Sequence, residues 1–130
     1  MKILSANTCY IPHNLNHVIR SKDEVCATLG GMNDAQIQSI WASVESLYKT
    51  GNYPFISLCL RRQGQILLNR SIGYAQGNSA DGLAADAKIG TPDTPVCLFS
   101  ASKIVTAMLI HMLDERGDLT LLDPISHHIP

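Results

Sequence analysis

The sequence predicts an α+β fold in which an antiparallel sheet is flanked by helices. Residues 33–50 carry apolar side chains at helical spacing, and residues 53–74 contain two apolar runs separated by a polar turn with a glycine. Residues 100–116 predict a second helix that is apolar on nearly every side. At 130 residues, 45% apolar and 16% charged, one globular domain is expected, and a net charge of −1 gives no electrostatic reason to expect nucleic acid or an anionic membrane.

Residues 1–32 form an N-terminal arm to which the sequence assigns no role. Cys9, His13 and His17 stand four apart, a spacing that would align metal ligands on a helix. Pro12 disfavours a helix there, so a polar arm with incidental histidines is the favoured interpretation and no metal is predicted.

The cysteine pattern and the hydropathy both predict a cytoplasmic location. None of the four cysteines forms a C-x-x-C pair, and reduced thiols are expected in a chain of this size. No apolar run approaches the roughly 20 residues that span a bilayer. No apolar signal-peptide core follows the residues 1–7.

The first helix is predicted over residues 33–50. Asn33 can cap it, with Gln36 placed to complete a capping box, and Gly51 suits the position after its C-terminus. The apolar stripe comprises Ile37, Ile40, Trp41, Val44, Leu47 and Tyr48. At this spacing Trp41 and Tyr48 are expected to be core residues rather than a ligand platform.

A hairpin is predicted to follow. Its first strand begins at Tyr53 and continues through residues 55–60, which are apolar on both faces and therefore predict a central strand. A polar turn at 61–65 leads to the return strand at 66–74. Two strands are marginally stable alone, so further strands of the sheet are expected outside this chain.

Residues 75–97 are predicted to form a long loop, punctuated by glycines, alanines and aspartates. Asp81, Asp86 and Asp93 are interpreted as solvated loop charges rather than metal ligands. Asp93 or Thr94 is expected to hold the turn that precedes Ser100.

The second helix opens with the Ser-x-x-Lys motif at Ser100 and Lys103. Residues three apart share a helix face, so the hydroxyl and the amine can meet without help from the rest of the fold. A serine becomes a nucleophile when a base takes its proton, and a lysine is a base only where desolvation or a nearby cation destabilises the ammonium. The alternative is an N-cap serine followed by a surface lysine. His111, His127 and His128 are not expected to act as the base.

The run 91–103, Thr-Pro-Asp-Thr-Pro-Val-Cys-Leu-Phe-Ser-Ala-Ser-Lys, resembles the nucleophile segment of the serine β-lactamase and penicillin-binding-protein family, in its class C-like esterase branch. The downstream run 112–125 and the sequence Gly73-Tyr74-Ala75 resemble the family as well. The resemblance implies a β-lactamase/transpeptidase-like sandwich. It implies an acyl-enzyme on Ser100, with Lys103 as base and the Ser100 backbone N–H as half of an oxyanion hole. Substrates would be short esters, β-lactams or D-alanyl peptides, and no metal or cofactor would be needed. For Ser102 the ordinary interpretation is capping of the helix N-terminus, whereas the resemblance implies a packing role.

Two further motifs of that family do not follow Ser100. These are Tyr-x-Asn or Ser-x-Asn, and the Lys/His-Thr/Ser-Gly strand. The sequence therefore predicts that residues 33–130 are the N-terminal part of a serine hydrolase domain, and that a C-terminal remainder would complete it, as a second chain in one arrangement. The alternative function is a non-catalytic binding or assembly protein of this family, or an inactive fragment.

Overall fold

The longest strand, β3 (Gln65–Ser79), pairs with every other strand in the computed structural model, which describes residues 9–129. The chain divides into two units, Met1–Thr94 and Pro95–Pro130. The described helices and strands of the first unit are β1 (Ile19–Ser21), α1 (Asp34–Lys49), β2 (Phe55–Arg62), β3 and β4 (Gly82–Ile89). Those of the second unit are α2 (Ser102–Arg116) and the single turn α3 (Ile125–His128).

All of the strand pairings are antiparallel. β2 runs beside β3 from Phe55 opposite Gly73 to Arg62 opposite Gln65, and β1 pairs with residues 70–72 of β3. β4 pairs with residues 74–79 of β3. The antiparallel sheet with its helices confirms the predicted α+β class.

The hairpin between β2 and β3 is tighter than the sequence predicted. Only Gln63 and Gly64 lie outside the strands, with φ angles of 51° and 78°, the positive values of a type I′ turn. A bulge shifts the register between Leu60 opposite Leu68 and Arg61 opposite Ile66, and leaves Leu67 as the extra residue. Leu67 and Leu68 are both buried as a result, although strict alternation would expose one of them.

Two predictions about the strands were wrong. Within the described residues β2 pairs only with β3, so it is an edge strand, and its Ser57 and Cys59 are exposed while Ile56, Leu58 and Leu60 pack against the core. The predicted loop at 75–97 contains the end of β3 and all of β4.

The glycines and the aspartate that indicated a loop at 75–97 have roles in this second hairpin. Ala80 and Asp81 form the turn between the strands, and Gly82 has a φ of 115°. At Gly77, a Cβ would lie 2.8 Å from the Cα of Ala87. Only glycine allows the two backbones to approach so closely there.

Helix α1 has the predicted capping box. The Asn33 side chain accepts from the Gln36 N–H, and the Asn33 N–H donates to the Gln36 side chain, both at 2.9 Å. After the helix, Gly51 has a φ of 74°, as a residue following a helix C-terminus should. The core of the described residues is Val18, Ala27, Ile37, Trp41, Tyr48, Leu67, Leu68 and Ile72.

The described part of the arm, residues 9–32, packs on the sheet. It supplies β1 and two of the core residues, Val18 and Ala27. The Glu24 carboxylate accepts two hydrogen bonds at 2.8 Å from the Arg70 guanidinium and one at 3.0 Å from the Asn69 N–H. That guanidinium also lies 5.6 Å from the centre of the Trp41 ring, a cation–π distance.

Gly73 is expected to tolerate no side chain. Its φ is 104°, and an added Cβ would overlap the Pro54 carbonyl oxygen and come within 2.7 Å of the Tyr48 ring. Because backbone strain and overlap with the main chain add, Gly73→Ala should lower the free energy of unfolding by more than about 2 kcal/mol. Urea unfolding of the variant measures this.

The matched control for that variant is Gly64→Ala. Gly64 also has a positive φ, of 78°, but an added Cβ would meet nothing within 4 Å. Gly64→Ala should lower the free energy of unfolding by only about 1 kcal/mol, which is the cost of backbone strain. Equal losses in the two variants would show that the overlap at Gly73 does not matter.

The Glu24–Arg70 pair should make stability depend on pH. Burial raises the pKa of the Glu24 carboxyl, but hydrogen bonds from Arg70 and the Asn69 N–H, with the charge of Arg70, lower it more, so the net pKa lies below the ordinary value of 4.5. A carboxyl with a lowered pKa contributes stability above its ordinary pKa and loses it as the pH falls through the folded value. Glu24→Gln should therefore cost about 1–3 kcal/mol at pH 7, since the side chain is only 19% exposed, and much less at pH 3.

Urea titrations of the native protein and of Glu24→Gln at the two pH values test this dependence. Glu45→Gln is the control, because Glu45 forms no ion pair among the described residues. A difference between Glu24→Gln and the native protein that stays the same at both pH values would contradict the prediction.

Candidate active site

Ser100 lies in a single 3₁₀ turn, Phe99–Ala101, that leads directly into α2. The predicted helix over residues 100–116 is confirmed by this turn together with α2. The helix ends at Gly117, whose φ is 76° and whose N–H donates to the Asp114 carbonyl at 3.0 Å. No side chain caps α2 at its N-terminus, so Ser102 does not have the capping role that was one of its expected functions.

The structure brings the two residues of the Ser-x-x-Lys motif together. The Lys103 Nζ lies 3.4 Å from the Ser100 Oγ, within hydrogen-bonding distance. The contact is made inside one helical turn, so it depends on local geometry alone. In this geometry the Lys103 amine donates to the Ser100 hydroxyl.

Phe99, immediately before the serine, has a φ of 46°. A non-glycine residue in this left-handed region costs about 1–2 kcal/mol, and such strain is concentrated at functional sites. The sequence analysis missed Phe99, and nothing in the pattern of residues could have indicated it. Its conformation turns the chain at the point where the serine enters the helical segment.

The backbone N–H of Ser100 lies at the start of this turn. The first hydrogen bond of the turn runs from the Ala101 N–H to the Leu98 carbonyl at 3.0 Å, one residue later in the chain. The N–H groups at the opening of a helical segment precede its hydrogen-bond ladder and carry partial positive charge. The Ser100 N–H thus precedes the first hydrogen bond of the turn.

The apolar side chains of α2 are exposed, although a helix that is apolar on nearly every side is usually buried. Ile104 is 67% exposed and Met108 is 64% exposed, and Val105, Leu109 and Met112 are exposed as well. Ser100 and Lys103 are also exposed. The helix is apolar around its circumference, but the described residues do not cover it, and they do not supply the desolvation that a lysine base requires.

The Thr91–Thr94 turn lies ahead of this segment. The Thr94 N–H donates to the Thr91 carbonyl at 3.0 Å, and the Thr91 N–H donates to the Thr94 hydroxyl at 2.8 Å. This confirms the prediction that Asp93 or Thr94 holds the turn, with Thr94 as the residue that closes it. The Asp93 carboxylate instead accepts hydrogen bonds from the Lys22 ammonium, at 3.0 and 2.8 Å.

The remaining candidates do not join the site. No hydrogen bond links a histidine to Ser100 or Lys103 in the part of the chain that the structure describes. The His128 ring lies 3.7 Å from the Asp123 carboxylate and contacts the His127 ring edge-on. Among residues 9–129, no three His, Cys, Asp or Glu side chains are grouped as metal ligands.

A model of the Beta-lactamase family matches residues 34–130. The chain belongs to the beta-lactamase family. This family relationship covers α1, the sheet strands β2 to β4 and the whole Ser100 segment, and it places the chain in a superfamily of serine hydrolases. The arm at residues 1–32 lies outside the matched range.

The curated relatives of this beta-lactamase-family chain include Protein flp from several strains of Staphylococcus aureus. The proteins from strains NCTC 8325 / PS 47 and COL are each 30% identical to it over 99 residues. That alignment covers 75% of this chain and 18% of each flp protein, so the chain spans less than a fifth of the length of these relatives. No solved structure matches the chain significantly. Among the described residues, no helix has the length and apolar character needed to cross a membrane.

Proposed function

We propose that this chain carries the nucleophile of a serine hydrolase that acts through an acyl-enzyme on Ser100, with Lys103 as the base. The observation that carries the proposal is the 3.4 Å contact between the Lys103 amine and the Ser100 hydroxyl, at the opening of a helical segment. Membership in the beta-lactamase family supports it, because Ser-x-x-Lys is a motif with a nucleophilic mechanism.

In the proposed reaction, the Ser100 Oγ attacks the carbonyl carbon of the substrate while its proton passes to the neutral Lys103 amine. The carbonyl oxygen becomes an oxyanion, and the Ser100 N–H donates a hydrogen bond to it. When the oxyanion collapses, the bond to the leaving group breaks and the leaving group takes the proton from Lys103. Water then attacks the acyl group, releasing the acid and restoring the hydroxyl.

For Lys103 to act as a base, the exposed pair must be shielded from water. We propose that further sequence of the family domain, in the same polypeptide or in a second chain, covers the apolar surface of α2 in the active protein. The exposure of Ile104, Val105 and Met108 supports this proposal, as does the small share of the flp length that the chain spans. That cover would make the pair less hydrated and favour the neutral amine.

The proposed substrates are short carboxylic esters, with β-lactams and D-alanyl peptides as the other members of the class. All of them present a carbonyl whose attack by a hydroxyl yields an acyl-enzyme. Ser100 and Lys103 would act on the carbonyl group that all of these substrates share, so the pair does not distinguish among them. The choice of esters therefore rests on the likeness of residues 91–103 to the esterase branch.

We also propose a cytoplasmic location. Cys9, Cys26, Cys59 and Cys97 are all free thiols, and three of them are exposed. Exposed reduced cysteines are typical of the cytosol, where glutathione and thioredoxin keep thiols reduced.

The alternative is a non-catalytic member of the family that serves in binding or assembly. The exposure of both Ser100 and Lys103 favours this alternative, since the described residues do not shield either side chain from water. Covalent labelling separates the two functions, because only an activated serine is phosphonylated by a fluorophosphonate or acylated by a penicillin.

Ser100 should be labelled by a fluorophosphonate probe or by a penicillin probe in the natural full-length protein. Ser100→Ala should abolish the labelling. Lys103→Met should slow it about 100-fold or more, the usual contribution of a general base. Mass spectrometry of the labelled peptide and the rate of labelling measure both effects.

Ser102→Ala is the matched control, because Ser102 carries a hydroxyl in the same segment that forms no hydrogen bond with the Lys103 amine among the described residues. It should keep at least half of the native labelling rate. A full-length protein that neither probe labels, or labelling that persists in Ser100→Ala, would favour the non-catalytic alternative.

A further inference from the structure

The described part of the arm begins with a short segment, residues 9–11, that is fastened to two separate elements. The Cys9 N–H donates to the Gly51 carbonyl, just after α1, at 2.6 Å. The side chain of Asn78, in β3, binds the main chain of Tyr10 twice: its amide oxygen accepts from the Tyr10 N–H at 2.9 Å, and its amide nitrogen donates to the Tyr10 carbonyl at 3.0 Å. We call residues 9–11 the latch.

Beyond the latch, the arm is held loosely until Val18. Among the described residues, the hydrogen bonds of residues 11–17 all have partners within the arm itself. His13 and Asn14 are exposed, whereas Val18 is only 1% exposed and belongs to the core. Local opening of a folded chain occurs where few buried contacts and few hydrogen bonds must be broken. The latch can therefore leave the sheet while Val18 and β1 stay in place.

The latch lies beside a buried hydroxyl group that has no hydrogen-bond partner. Tyr48 is fully buried, and no group among the described residues accepts from or donates to its hydroxyl. Burial is the main cause that raises the pKa of Tyr48 to about 12, and the nearby ionisable groups of Tyr74, Cys9 and Tyr10 raise it further. Gly51, to which the latch is bound, donates its N–H to the Tyr48 carbonyl at 3.0 Å. A buried polar group without a partner destabilises the conformation that buries it.

We propose that the latch opens and closes on the first unit while the rest of that unit stays folded, and that its opening gives the Tyr48 hydroxyl access to water. The Asn78 side chain favours the closed form, and the unpaired Tyr48 hydroxyl favours the open form. The arm thereby has a conformational equilibrium of its own, set by two opposing interactions. This equilibrium involves the first unit alone and does not depend on the proposed acyl-enzyme function.

Two variants of the natural full-length protein act on this equilibrium in opposite directions. Tyr48→Phe removes the unpaired hydroxyl and keeps the ring, whereas Asn78→Ala removes both hydrogen bonds to Tyr10. Amide hydrogen exchange at the N–H groups of Cys9 and Tyr10 measures opening of the latch. Exchange at Ile72, which pairs with both β1 and β2, measures global unfolding.

Each variant has a matched control. Tyr53→Phe also removes a tyrosine hydroxyl, but Tyr53 is 47% exposed, so its hydroxyl is hydrated whether the latch is open or closed. Asn52→Ala also removes an exposed amide, and the Asn52 side chain forms no hydrogen bond among the described residues. Neither control should change exchange at Cys9 or Tyr10.

In the native protein, Cys9 and Tyr10 should exchange faster than Ile72, because the latch opens without global unfolding. Tyr48→Phe should slow their exchange about tenfold, since closure no longer buries an unpaired hydroxyl. Asn78→Ala should speed it about tenfold, since the closed form loses two hydrogen bonds.

Three results would overturn the proposal. Native exchange at Cys9 and Tyr10 that is as slow as at Ile72 would show that the latch opens only on global unfolding. Unchanged or faster exchange at these two positions in Tyr48→Phe would show that opening does not relieve the buried hydroxyl. Unchanged exchange in Asn78→Ala would show that the Asn78 side chain does not hold the latch.

Discussion

The antiparallel pairing of β3 is the constraint on which the described fold depends. Strands β1, β2 and β4 all take their hydrogen bonds from β3, and no pair of the other three is joined directly. When a strand pairs along both edges, backbone geometry restricts the residues it can carry as much as hydrophobicity does. The bulge opposite Leu60 and Arg61 places Leu67 and Leu68 together in the core, and Gly73 allows the main chain of Pro54 to approach closely. The buried Ser71 hydroxyl donates to the Gly90 carbonyl at 3.0 Å, so the same strand also holds the end of β4.

The boundary of the family match and the boundary of the packed unit are different. The match begins at residue 34, whereas Val18 and Ala27 belong to the core and β1 occupies an edge of the sheet. The Glu24–Arg70 pair, with Arg70 in turn against Trp41, connects the arm to β3 and to α1 in one network. The arm shares no motif with the family and is nevertheless part of the hydrophobic core of this chain. Burial depends on the shape and polarity of side chains rather than on a particular residue sequence.

The contact between Ser100 and Lys103 is local, whereas the shielding from water that their proposed chemistry needs is not. One helical turn is enough to place the Lys103 amine beside the Ser100 hydroxyl, and the strained Phe99 fixes how the chain enters that turn. In the proposed mechanism, a proton relay between them would additionally need a dry surrounding, which the exposed α2 does not have among the described residues. The exposed apolar side chains of α2 make this helix suited to burial, and the proposed chemistry of the pair would depend on such burial.

The sequence alone determined the features that arise from neighbouring residues. These are the capping box at Asn33 and Gln36, the apolar stripe of α1 and the meeting of Ser100 with Lys103, since each depends on a spacing of three or four residues. Tertiary structure decided the features that arise between distant residues. The β4 strand was not recognised because the glycines that permit close strand approach also indicate loops, and the edge position of β2 depends on which strands are present to pair with it. The contacts of Glu24 with Arg70 and of Lys22 with Asp93 could not be predicted either, because a charge pattern does not show which opposite charge the folded chain will bring within reach.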